Sequence, residues 1–241
     1  METMTNWEFW SMLIALGALI LSIFPYLRSF FSKAKLDFEI YSRIFITHKV
    51  GYPNLQMNII LYNTGWKNIR IKRINLKLYR DDKEILTLPA LTYIPEIKDN
   101  RSVLLTHINI EPQKEWNHIT NFHNHFDRTE EKFYKDAEIN LLNEIQRLRE
   151  ETDNNINKAV KVGDEFIKPF EKIFKDNFIW EEGEYKIIID LETNYSNINL
   201  NKNCRFTIFE SQSKFLKKHL EYYFSGDGIL FETKSVEGIF I

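Results

Sequence analysis

Three hydrophobic rhythms divide the chain. Between Glu8 and Arg28, nineteen residues from Phe9 to Leu27 carry no charge (FWSMLIALGALILSIFPYL). As a helix rising ~1.5 Å per residue this run is ~28 Å long, close to the ~30 Å hydrocarbon thickness of a bilayer. From Leu36 to Ile110 the apolar positions fall at every second residue, the period of a half-buried strand. Five strands are predicted: Leu36–Tyr41, continued through Ile44 and Ile46; Leu55–Tyr62; Ile69–Tyr79; Glu84–Leu88; and Val103–Ile110. In the third, Ile69 and Ile71 share a face with Ile74, Leu76 and Leu78 only if the phase slips at Lys72-Arg73, which predicts a β-bulge. Asn63-Thr64-Gly65 punctuates the second strand as a turn, and Pro89, Pro95 and Asn100 mark the connection between the fourth and fifth.

From about Gln113 the period lengthens to three and four. Tyr134, Ala137, Leu141, Ile145 and Leu148 form one helical stripe within 128–152, and Asp153-Asn154-Asn155 reads as a turn. Ile156, Ala159, Val160, Phe166, Ile167, Phe170 and Phe174 form a second stripe, with Pro169 as its break or restart. Two helices joined by so short a link should pack antiparallel. Strands then return at Lys186–Glu192, opened by Gly183-Glu184-Tyr185, and at Asn203–Glu210. A short helix, Lys214–Phe224, stops at Gly226 and Gly228, and two short β-like pieces follow, Ile229–Glu232 and Gly238–Ile241.

Seven main strands with a helical hairpin between the fifth and sixth predict a mainly β fold with inserted α: an antiparallel immunoglobulin-like β-sandwich behind a single N-terminal transmembrane helix. The turns at Asn63-Thr64-Gly65 before Ile69-x-Ile71, and at Gly183-Glu184-Tyr185, resemble those of bacterial immunoglobulin-like sandwiches. That resemblance implies a fold and no activity. The expected organisation is an anchor with a short basic linker over 1–35 and a cytoplasmic domain over 36–241, with the helical insertion at about 113–178 and a C-terminal helix and tail over 211–241.

Flanking residues orient the anchor. Trp7 and Trp10 lie at one end and Tyr26, Phe30 and Phe31 at the other, as interfacial aromatic belts do. Glu2 and Glu8 precede the span, whereas Arg28, Lys33 and Lys35 follow it. Basic flanks stay in the cytoplasm, so the N-terminus is expected outside and the domain inside, as in a single-pass protein of a bacterial inner membrane. A basic n-region and a small-residue cleavage site, the marks of a signal peptide, are missing. Ser11, Ala15, Ala18 and Ser22 fall on one helical stripe of small side chains, a candidate self-association face.

Composition narrows the chemistry. Acids and bases nearly balance, 34 against 32, so no direct nucleic-acid binding is expected. The single cysteine, Cys204, excludes an internal disulfide and reads as a small hydrophobe in mid-strand. Phosphate-cradling and dinucleotide glycine motifs are absent, as is a nucleophile elbow, and no cofactor is expected.

Two clusters remain. His123-x-His125-x-Asp127 resembles the opening of the H-x-H-x-D-H metal signature of metallo-β-lactamase-fold hydrolases, which would imply a divalent metal held by those three residues. Arg128 stands where the next histidine belongs, and only His219 follows. On the third strand Arg70, Lys72 and Lys77 should project away from the apolar face, as a solvated surface or as a contact for anionic headgroups or a nucleotide.

The hairpin carries nine acids against five bases from Asp127 to Asp153, and a sandwich does not need it for closure. It is therefore the expected protein-partner surface. Together these features predict a membrane-anchored, non-catalytic sensor, scaffold or effector subunit, touching lipid and forming homo-oligomers through its helix, of the architecture found in stress and anti-phage effectors. The alternatives are a membrane-tethered metal-dependent hydrolase and an anionic-ligand module.

Overall fold

The computed structural model describes residues 6–96, 101–151, 160–198, 200–230 and 238–241. The predicted turn 153–155 and the positions Glu2, Asn100, Ile156, Ala159 and Glu232 lie outside them.

Helix α1 spans Asn6–Phe31 and contains the apolar window Trp7–Phe24, none of which is buried by the rest of the chain. It is long and apolar enough to cross a membrane. The backbone stays helical past Pro25 as far as Phe31.

The strands are β1 (Leu36–Lys49), β2 (Tyr52–Asn63), β3 (Ile69–Arg80), β4 (Lys83–Ile94), β5 (Val103–Leu104), β6 (Ile108–Ile110), β7 (Glu115–His123), β8 (Gly183–Thr193), β9 (Leu200–Ile208) and β10 (Ile239–Phe240). All the pairings among the described residues are antiparallel, in the order β10-β1-β2-β7-β4-β3-β8-β9, with β5 beside β4 and β6 beside β3. Between β7 and β8 lie the helices α2 (Arg128–Glu151) and α3 (Asp164–Asn177). After β9 come α4 (Glu210–Lys217) and a 3₁₀ helix, Lys218–Ser225, closed by Gly226 at φ 83°.

The immunoglobulin-like sandwich is thereby corrected. The path of pairing is continuous, and the sheet is a curled half-barrel. The curl originates in β4. Its first half pairs with β3, from Arg80↔Lys83 to Asn75↔Pro89, and its second half pairs with β7, from Ala90↔Phe122 to Ile94↔Ile119. Pro89 sits where the partner changes, so its missing N–H falls where one ladder is being exchanged for another. A proline expected to end the strand therefore lies inside it. The edge that β4 vacates on β3 is taken by β6, with Ile69↔Ile110 and Ile71↔Ile108.

Alternation then fills the interior. Leu55, Met57, Ile59 and Leu61 of β2 face Leu76 and Leu78 of β3 and Ile187, Ile189 and Leu191 of β8 in one apolar core. The predicted bulge is present: between Ile71↔Thr193 and Arg73↔Glu192 the register with β8 slips by one. Trp180, fully buried, donates its indole N–H to the Thr47 carbonyl at 3.0 Å and ties the segment after α3 to β1.

Residues 115–123, expected at the start of the helical insertion, form β7, a central strand between β2 and β4. The hairpin itself begins at Arg128. Pro169 lies within α3 rather than at its break. The tail piece at Ile229-Leu230 is a turn, whereas Ile239–Phe240 pairs with β1 as a short strand.

A second core lies under the hairpin. Tyr134, Ala137, Leu141 and Ile145 of α2 meet Ile167, Phe170 and Ile173 of α3, together with Val50, Tyr223 and Ile229. The β1–β2 turn enters this core. Val50 and Gly51 both have positive φ, 48° and 88°, as a two-residue hairpin turn requires. Gly51 is required twice over, because a Cβ there would stand 2.7 Å from the Phe174 carbonyl oxygen. His48, next to this turn, is buried between the Phe174 and Phe178 rings, at 5.2 and 5.5 Å. Its Nδ1 accepts from the Gly51 N–H at 3.2 Å and its Nε2 lies 3.0 Å from the Leu216 carbonyl, so Nε2 carries the proton.

Protonating Nδ1 would break the bond to Gly51 and bury a charge. Desolvation accordingly holds His48 down at about 4, against 6.5 for the free side chain. Because the folded value is the lower one, the unfolded chain takes up this proton first as the pH falls. The stabilisation is complete above about pH 6.5 and is lost progressively down to about pH 4, by roughly 3 kcal/mol for a shift of this size. Thermal unfolding of the full chain in detergent should show this loss, and His48→Gln, which keeps one acceptor and one donor, should flatten the dependence over the same interval.

Candidate functional site

Each predicted site residue can now be placed. On α1, Ser11, Ala15, Ala18 and Ser22 are all exposed. The two serine hydroxyls turn back on their own helix, Ser11 donating to the Glu8 carbonyl and Ser22 to the Leu19 carbonyl, both at 2.9 Å. The stripe therefore presents small, internally satisfied side chains, the surface on which a second helix can approach closely.

The histidine cluster does not assemble three ligands among the described residues. His123 ends β7, and the His125 ring stands 5.8 Å away, centroid to centroid. Burial lowers the His123 pKa, which suits a neutral imidazole in a half-buried position. Asp127 is committed elsewhere. Its Oδ1 accepts the backbone N–H groups of Thr129 and Glu130 at 2.7 and 2.8 Å, and the Glu130 carboxylate accepts the Asp127 N–H at 3.2 Å. This is a capping box that starts α2, and the D-x-x-E spacing announces it in the sequence. Among the described residues, no group of three His, Cys, Asp or Glu side chains is arranged to hold a metal ion. Cys204 faces Ile187 across the β8–β9 ladder, and burial pushes its thiol up to about 11, away from a reactive thiolate.

The basic strand is partly neutralised by its neighbour. The Lys77 ammonium lies 2.7 Å from Asp190 on β8, and the Arg73 guanidinium 4.0 Å from Glu192. Arg70 is exposed, and its backbone N–H binds the Asn194 side chain at 2.9 Å. Lys72 sits on the bulge, exposed and without an ion-pair partner among the described residues. A surface cavity of about 230 Å³ opens there. Its walls include Lys72 and Arg73 of the bulge, Pro89 and Ala90 where β4 changes partner, and His107 of the β5–β6 loop, with no carboxylate in the lining. The volume suits a group no larger than a small oxyanion or phosphomonoester with a few waters.

The hairpin packs its aromatic face at home. Phe170 and Phe174 are buried, and Tyr134 stands edge-on to Phe170 at 5.5 Å. Its outer face is internally paired: Lys135 with Glu138, and Arg147 with both Glu144 and Glu151, at 2.5–2.6 Å. Phe133, Ile139 and Leu142 remain exposed on α2.

One feature is not announced by any sequence motif. Asn63, fully buried at the end of β2, satisfies its whole side chain: Nδ2 donates to the carbonyls of Lys67 and Ile110 at 2.8 and 2.9 Å, and Oδ1 accepts from Gly65 N–H at 3.0 Å. The Gly65 N–H also reaches the Lys35 carbonyl at 3.2 Å, and the Asn63 N–H and C=O bind Lys114 and Gln113, both at 2.9 Å. Three segments far apart in sequence, 33–35, 63–67 and 110–114, are thus stitched together immediately after α1. A Cβ on Gly65 would stand 2.7 Å from the Lys35 nitrogen, so no other residue fits that approach.

No family model matches the chain, and no curated protein matches it. The crystal structure of a protein from Archaeoglobus fulgidus aligns with a TM-score of 0.29 at 5% identity, over 73% of this chain and 98% of that one, a likeness too slight to carry any argument about fold or function.

Proposed function

We propose that the chain is a membrane-anchored, non-catalytic cytoplasmic module, a sensor, scaffold or effector subunit that self-associates through α1 and meets a protein partner at the α2–α3 hairpin. The observation that carries this reading is the position of the hairpin relative to the apolar helix. The strand β1 follows the end of α1 and runs for 14 residues, roughly 45 Å at strand rise, before reaching the Val50-Gly51 turn that abuts α3. The hairpin is therefore held at the end of the domain remote from the bilayer, where a soluble partner has access to it. Because its aromatic face is already buried, the contact uses the charged outer face of α2 with Phe133 and Ile139 as apolar points.

The full chain should sediment with membranes and require detergent for extraction, and a C-terminal reporter should behave as cytoplasmic. A periplasmic reporter, or a monodisperse chain without detergent, overturns the reading. Self-association is checked separately: Ala15→Ile with Ala18→Ile should weaken it in detergent by about 1–2 kcal/mol, roughly ten-fold, seen as a lower mass at equal concentration.

A second reading is favoured by the cavity at the β3 bulge, whose lining holds Lys72, Arg73 and His107 and no carboxylate. It takes a small oxyanion or phosphomonoester. Inorganic phosphate at millimolar concentration should then raise the melting temperature of the full chain, because a ligand bound by the folded state alone stabilises it. Lys72→Gln should abolish the rise. An equal rise in the variant rejects the site.

A further inference from the structure

We infer that the end of the domain adjoining α1 is a basic collar that rests on anionic lipid headgroups and sets the domain upright on the bilayer; this rests on the reading of α1 as a membrane span. The observation is a segregation of charge by depth. The loops stitched together by Asn63 and the junction with α1 hold Lys33, Lys35, Lys67 and Lys114, against the single acid Glu111. Lys33, Lys35 and Lys114 are exposed, and Lys67 is half-buried. Immediately behind them the sign reverses on this half of the sheet: Asp37 on β1 and Glu115 on β7, both level with Tyr62 of β2, are exposed acids.

The collar is preformed. Backbone bonds from Gly65 to Lys35 and from Asn63 to Lys114, with the Asn63 side-chain amide donating to the Lys67 carbonyl, fix three of the four lysines to one end, so little chain entropy is lost when lipid is met. The depth is also suitable. Lys33 follows the end of α1 at Phe31 by two residues, about 7 Å of extended chain, which puts the collar at the outer edge of the headgroup layer and within a Debye length of ~8 Å of its charge. Asp37 and Glu115 behind it repel the same surface, which opposes tilting toward β1 and β7. The occupant is an anionic leaflet rather than a soluble anion, because Lys33 and Lys35 follow the apolar helix directly and Lys67 and Lys114 are tied to the same junction.

The test uses the full chain in nanodiscs of phosphatidylcholine alone or with about a third phosphatidylglycerol. Acylation of each lysine by a water-soluble ester is followed by mass spectrometry. With phosphatidylglycerol, Lys67 and Lys114 should react several-fold more slowly, roughly three- to ten-fold for electrostatic contacts of this kind, while Lys172 and Lys175 on α3 are unaffected. High salt should remove the difference. Equal rates in the two lipids, with the chain incorporated in both, overturn the collar and leave the membrane span standing. A chain that does not enter nanodiscs overturns both. Lys67→Gln with Lys114→Gln supplies the second arm: protection of Lys33 and Lys35 by phosphatidylglycerol should weaken, and unchanged protection would assign it to the linker alone and reject the collar.

Discussion

The architecture depends on β4 being unable to pair along its whole length with one neighbour. At Pro89 it releases β3, and from Ala90 onward it holds β7. A flat sheet would leave one face of β2, β3 and β8 exposed. The exchange folds the two halves toward each other, so that Ile59 and Leu61 on one half and Leu76 and Ile189 on the other bury against a common interior. Each such side chain contributes about 1.5–3 kcal/mol when fully buried, and the curl is what makes that burial available. The vacated edge of β3 admits β6, and the bulge beside it splays the strands to leave the cavity at Lys72. Core, topology and cavity share one cause.

The half-barrel has two unlike ends, and the difference is polar chemistry against aromatic packing. The end next to α1 is closed by hydrogen bonds: Asn63 satisfies every donor and acceptor it owns, which is how an amide can be fully buried without penalty. The remote end is closed by rings. His48, Phe174 and Phe178 form one group, and Tyr52, Phe126 and Tyr134 form another, with Tyr52 edge-on to Phe126 at 4.4 Å and Phe126 stacked on Tyr134 at 5.0 Å. One end of the half-barrel is thus held by backbone and amide hydrogen bonds, and the other is capped by the helical hairpin.

Elements with a free polar face were legible in the sequence. In β2, β3 and β8 one face meets the core and the other meets solvent, so alternation is preserved, and even the bulge at Lys72-Arg73 could be read from the phase slip. The strand β7 was not legible. It lies between two partners, and its buried residues Thr120, Asn121 and Phe122 are consecutive, with Asn121 bonded to the Thr92 hydroxyl at 2.8 Å. Burial on both faces together with polar content erases the two-residue period. Pro89 misled for a related reason: a proline inside a strand is tolerated where the ladder changes hands, and that exchange is a tertiary event. At the candidate sites the limit was the same. His123, His125 and Asp127 alternate in sequence, but Asp127 is taken up by the cap of α2, and among the described residues no three such side chains are arranged to hold a metal ion. Asn63 carries the junction through contacts 47 and more residues away, which no local pattern encodes.

The burial of Phe170 and Phe174 changes what the hairpin can offer. An unsupported amphipathic hairpin would expose an apolar face and bind by burying it. Here that face is consumed by the fold, and Arg147 bridging Glu144 and Glu151 shows the outer face neutralising itself along α2. Exposed pairs of this kind stabilise a helix by only a few tenths of a kcal/mol, so they yield readily to a partner of opposite charge, and they give such a contact selectivity more than strength. On the proposed reading, affinity would come from copy number: several weak heads held at one height above a bilayer would reach a multivalent partner at high effective concentration, with the small-residue stripe of α1 as the proposed element that holds the copies together.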